Sequence, residues 1–73
     1  MTNEELELKE KRKKVIYDLM CDQTYTPMKE KELAMLLQVS REDKPVFRAM
    51  LKELLTEGKI EVSSRGKYRR AGS

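Results

Sequence analysis

The sequence predicts a mainly α domain that closes with a small β-hairpin. Two observations carry this. Apolar residues recur at helical spacing as far as Leu55 and then alternate from Ile60 onward. Between the two regimes stands Gly58, the residue type that ends helices in a left-handed conformation. At 73 residues the chain is one domain with a thin core, and chains of this size without staples rely on well-packed helices.

The first helix is expected over about residues 3–21. Thr2 and Glu5 have capping-box spacing, and Glu4, Glu5 and Glu7 occupy the first turns, where the helix dipole favours acids. Leu8, Val15, Ile16 and Leu19 share a face with Arg12, so the buried stripe is expected to begin at Val15 with Arg12 leaning outward on its stem. Asp22-Gln23-Thr24-Tyr25-Thr26 has no period and reads as a loop, and Pro27-Met28 as a very short extended piece.

A second helix over about 29–37 should bury Leu33, Ala34, Leu36 and Leu37, and it is too short to be stable without a partner. Gln38-Val39-Ser40 is a tight turn. Related turns commonly hold glycine where this chain has Gln38, and a left-handed backbone there costs a non-glycine residue about 1 kcal/mol. Ser40 is a good N-cap, with Asp43 as its capping-box acid, and Pro45 is tolerated only in a first turn. The third helix therefore spans about 41–57, beginning between Arg41 and Pro45. Strands follow at about 59–63 and 67–70, joined by Ser64-Arg65-Gly66, with Tyr68 facing inward. Three helices followed by a two-stranded wing is the order of a winged helix-turn-helix. Leu33, Leu37, Phe47, Leu51 and Leu54 should form its core with Ile60 and Tyr68. Met20, Met28, Met35 and Met50 read as filler, and Cys21 as a small buried or half-buried apolar residue.

Composition excludes several function classes. The longest apolar runs are far short of the roughly 20 residues needed to span a bilayer, so no membrane partner is expected. No basic segment followed by an apolar run reads as a secretory signal, and a lone Cys21 fits a reducing, cytoplasmic setting. With no histidine and one cysteine there is no zinc site and no imidazole base, and the acids do not cluster as a magnesium site requires. The expectation is a non-catalytic domain without a cofactor of its own.

Sixteen basic residues against thirteen acidic leave +3, but placement says more. Residues 9–14 (KEKRKK) carry five cations and one acid, residues 59–73 another five against Glu61, and the middle of the chain is balanced. On the third helix, Arg41, Lys44, Arg48 and Lys52 fall within roughly 80° of each other if the first turn is helical. Phe47, Met50, Leu51 and Leu54 fill a neighbouring arc, while Glu42, Glu53 and Glu57 lie opposite. Such a helix can present cations to phosphates; an ordinary amphipathic helix whose cations pair with acids on neighbours would look the same. The tip adds Ser64, Arg65 and Lys67, with Gly66 permitting close backbone approach, although solvated turns use the same residues. The KEKRKK cations spread around their helix and read as solvated.

Over residues 26–70 the chain resembles the N-terminal winged-helix domain of the bacterial ribonuclease R family. The carrying segments are Pro27-Met28-Lys29 leading into KELAMLLQVS, then LKELLTEGKI over residues 51–60, then Ser64-Arg65-Gly66-Lys67-Tyr68. Residues 1–24 match only as a helix of suitable length. The resemblance implies a fragment of a 3′→5′ exoribonuclease, with cold-shock domains, a magnesium-binding catalytic domain and a basic tail beyond Ser73. Its partners would be RNA, held mainly through phosphates, and other domains of the same parent chain. A DNA-binding transcriptional regulator would share the fold. Its recognition helix usually offers side chains suited to base edges, whereas the exposed side chains here are mainly Lys, Arg and Glu, which suit backbone contact. A protein-interaction module is the remaining alternative.

Overall fold

The computed structural model describes residues 2–72. Three helices, α1 (Asn3–Cys21), α2 (Glu30–Leu36) and α3 (Lys44–Thr56), pack with three short strands, β1 (Met28–Lys29), β2 (Ile60–Val62) and β3 (Lys67–Arg70). The strands form one antiparallel sheet in the order β1-β3-β2. Thus the short extended piece at Met28 becomes a third strand, pairing Met28 with Tyr68 and Lys29 with Lys67. On the other side of β3, Ile60, Glu61 and Val62 pair with Arg70, Arg69 and Tyr68.

The helix ends follow from local chemistry. The Thr2 hydroxyl accepts a hydrogen bond from the Glu5 amide at 3.2 Å, capping α1. At the end of α2, the Val39 amide donates to the Ala34 carbonyl at 2.8 Å and the Gln38 amide to that of Met35 at 3.2 Å. This is a Schellman closure, and it puts Gln38 at φ 55°, the one non-glycine residue with a left-handed backbone among those described. α3 closes the same way on Gly58 at φ 74°, with Lys59 donating to Leu54 and Gly58 to Leu55.

The third helix starts later than a Ser40 cap predicts. Asp43 is its N-cap, and residues 41–43 form a separate turn in which the Ser40 carbonyl and hydroxyl both accept from the Asp43 amide. Proline at the start of α3 explains the shift. Pro45 has no amide to donate back to residue 41, so the chain turns first and becomes helical from Lys44.

The core gathers Ile16, Met20, Leu33, Ala34, Phe47, Met50, Leu51, Leu54 and Ile60, with Leu37 and Tyr68 packed at its edge. Three expectations need correction. Val15 is 57% exposed, because α1 turns a different arc inward: Lys13, Ile16 and Met20 are its buried residues, while Leu8, ahead of the expected stripe, is exposed. Leu36 and Met35 also lie outside, on the solvent side of a helix only two turns long.

The lysine in that buried set reveals why α1 is rotated. Lys13 is 2% exposed, and its ammonium lies 2.7 Å from Glu57, 3.5 Å from Glu53 and 3.6 Å from Glu10. Lys9, one turn earlier, pairs with Glu53 at 2.6 Å. Two lysines at i and i+4 on α1 thus meet two glutamates at i and i+4 at the end of α3, Glu53 in its last turns and Glu57 as its C-cap, and KEKRKK is in part a docking element rather than a solvated run. The hydrogen bond that its ammonium donates to Glu57 raises the Lys13 pKa above 10.5 against the opposing effect of burial. Lys9 in turn lowers the Glu53 pKa below 4.5.

A clasp ties the loop after α1 to the sheet. The Tyr25 hydroxyl donates to the Tyr68 carbonyl at 2.6 Å and accepts from the Met28 amide at 3.3 Å. Asp22 orders the loop by accepting from the Thr24 amide at 2.8 Å and hydroxyl at 2.6 Å.

Candidate nucleic-acid interface

The cations singled out in the sequence fall on three elements. Lys44, Arg48 and Lys52 lie on α3 at successive i, i+4 positions, all exposed. Arg41 does not extend that row, since it sits in the turn before the helix. The β2–β3 hairpin supplies Ser64 and Arg65 at the exposed tip and Lys67 at the first position of β3.

Hairpin geometry fixes the tip. Gly66 stands at φ 79°, with its amide donating to the Ser63 carbonyl at 2.9 Å, and the ladder closes from the Ser63 amide to the Lys67 carbonyl at 2.9 Å. The Ser63 hydroxyl accepts from the Arg65 amide at 3.3 Å and the Lys67 amide at 3.2 Å. Ser63 is therefore an organiser of the turn, and Ser64 and Arg65 project from a defined backbone.

Arg48 does not present a free charge. Its guanidinium donates to both carboxylate oxygens of Glu30, at 3.3 and 3.2 Å. The pair lies beside β3, because Tyr68, whose pKa is raised first by burial, also feels Glu30 raising it and Arg48 lowering it. At this position the alternative of a helix cation paired to a neighbour's acid is met. Both side chains keep substantial exposure, so the pair is a solvated one and contributes little to stability.

The sheet adds a residue that spacing along the chain does not reveal. Lys29 of β1 stands directly opposite Lys67 of β3. Alternation puts both on the face away from Met28 and Tyr68, together with Arg69 and Glu61. Arg69 is neutralised by Glu61 at 2.6 Å. The two lysines have no such acid, and like charges placed directly across a ladder destabilise it. Lys29 was hidden because β1 is two residues long and its partner lies 38 positions later.

Among the described residues no group of three His, Cys, Asp or Glu could hold a metal ion, and no helix is long and apolar enough to cross a membrane. No family model, curated protein or solved structure matches the chain.

Proposed function

We propose that the chain is a winged-helix domain that binds RNA through its phosphates, a non-catalytic accessory domain of a ribonuclease R-like 3′→5′ exoribonuclease. One observation carries the binding face: Lys29 and Lys67 oppose each other across the ladder without an acid between them. Such a pair is a strain in the free domain and an asset beside a polyanion. Arg65 at the adjoining tip, with Lys44, Arg48 and Lys52 on α3, would extend the cationic surface. Few contacts engage at once, so binding by the domain alone should be weak, with Kd on the order of 10⁻⁴–10⁻⁶ M, steeply salt-dependent and indifferent to sequence.

The test compares two double charge reversals by RNA titration at low salt. Arg65→Glu with Lys67→Glu should lose most of the affinity. Lys14→Glu with Lys59→Glu, at the opposite end of the hairpin and on α1, should lose little. Lys67→Glu alone should also stabilise the sheet by about 0.2–1 kcal/mol, since it turns the Lys29 repulsion into attraction. A variant that melts higher and binds worse is the signature of this reading. Binding retained by the wing variant and lost by the control places the RNA site elsewhere. Absence of RNA binding at low salt assigns the basic face to an acidic protein partner instead.

A further inference from the structure

α1 has a second organised face, which the fold leaves uncovered. At about 100° per residue, Glu4, Glu5, Leu8, Lys11, Arg12 and Val15 fall within an arc of about 120°. All six are exposed, and the arc lies to one side of the core-facing residues Lys13, Ile16 and Met20. Among the described residues the charged groups of Glu4, Glu5, Lys11 and Arg12 have no ion-pair or hydrogen-bond partner. Val15 also forms the rim of an open groove of about 260 Å³, which Val39, Val46, Phe47 and Met50 line with apolar surface.

The order of charge along this face is what identifies its occupant. Two acids precede Leu8 and two bases follow it at matching distances. Consider two copies of α1 laid side by side in opposite directions about a two-fold axis through Leu8. Leu8 then meets Leu8, Glu5 faces Arg12, Glu4 faces Lys11, and each ion pair occurs twice. A parallel arrangement would stack acid on acid and base on base. Any other protein would need to carry this pattern in reverse, whereas a second copy of the chain already does.

We propose that the exposed arc of α1 is an antiparallel homodimer interface, with Leu8 at its centre and the Glu4/Glu5 and Lys11/Arg12 clusters as reciprocal ion pairs. Each α1 contributes one stripe of about three turns, so the interface is small and the dimer weak, with Kd on the order of 10⁻⁵–10⁻³ M. It leaves the Lys9 and Lys13 bridges to α3 intact, because those side chains point along the core-facing arc.

Sedimentation velocity of the whole chain at low salt, at concentrations up to about 1 mM, tests this directly. The wild type should show a concentration-dependent dimer. Lys11→Glu with Arg12→Glu, and separately Glu4→Lys with Glu5→Lys, should each weaken self-association at least about tenfold. An equimolar mixture of the two variants should recover it as a heterodimer, since each supplies what the other lacks. That recovery also excludes helix fraying as the cause of the losses. A wild type that stays monomeric overturns the proposal. So does a dimer insensitive to both reversals, which would pair through another face, or a mixture that fails to recover.

Discussion

Lys13 is the most informative residue to perturb, because two substitutions separate its stem from its charge. Its side chain is 3% exposed, while the carboxylates of Glu53 and Glu57 around its ammonium remain 37% and 39% exposed. Lys13→Ala removes three buried methylenes, at about 0.8 kcal/mol each, and the ion cluster as well. The acids it abandons can rehydrate, so the charge component is nearer 1 kcal/mol than the 3–5 found when a fully buried pair is broken. The sum is on the order of 3 kcal/mol, a large share of the 3–5 kcal/mol such a core supplies. Lys13→Met keeps most of the stem and should lose about 1 kcal/mol. Urea unfolding followed by far-UV circular dichroism at neutral pH reads both. Because folding raises the Lys13 pKa, its stabilisation is complete below about pH 10.5 and fades as pH rises through the folded value. Glu53, lowered by Lys9, acts in the opposite direction: its stabilisation is present above pH 4.5 and fades as pH falls through its folded value. The gap between wild type and Lys13→Met should therefore be open below about pH 10.5 and narrow as pH rises through the folded Lys13 value, while the Lys9–Glu53 contribution is common to both proteins. A Met variant as unstable as the Ala variant, or an Ala variant that unfolds with the wild type, would refute this division of the energy.

Other outcomes follow from single contacts. Gln38→Gly should stabilise the domain by up to about 1 kcal/mol, since the residue sits at φ 55°, and a lower melting temperature would contradict that. Leu51→Ala, at a side chain 1% exposed, should cost about 2–5 kcal/mol and abolish cooperative melting near room temperature. Tyr25→Phe removes both bonds of the clasp and should cost about 1–2 kcal/mol, with amide signals of Met28 and Lys29 shifting most in an NMR comparison.

Much of the architecture was legible because it is local. Gly58 and the period change at Ile60 place the end of α3 and both strands of the hairpin within a residue or two. The unusual Gln38 backbone was visible as a glycine position filled by something else. Reading α1 failed for a specific reason. An apolar count favours Val15, yet the inward arc is set by Lys9 and Lys13 meeting Glu53 and Glu57, an attraction that spans more than forty residues. The matched i, i+4 spacing on both helices was the signal for it. Within the candidate interface, the α3 row and the wing tip were readable from spacing. Lys29 and the Glu30 partner of Arg48 were not, because both depend on how β1 and α2 are brought against β3 and α3.

The three-strand ladder has a consequence for motion. β3 is bonded along both edges, by β1 on one side and β2 on the other, and Tyr25 anchors its carbonyl from below. Beyond the Ser63–Lys67 closing bond only Ser64, Arg65 and Gly66 are outside the ladder. The hairpin is thus a stiff plank rather than a swinging flap, and even its tip is tied down through Ser63. Ladder amides exchange with solvent only when the sheet opens, while the exposed Arg65 side chain moves within nanoseconds. A ligand gripping Arg65 would order one side chain rather than a loop, and one reaching Lys67 would meet a backbone already in place.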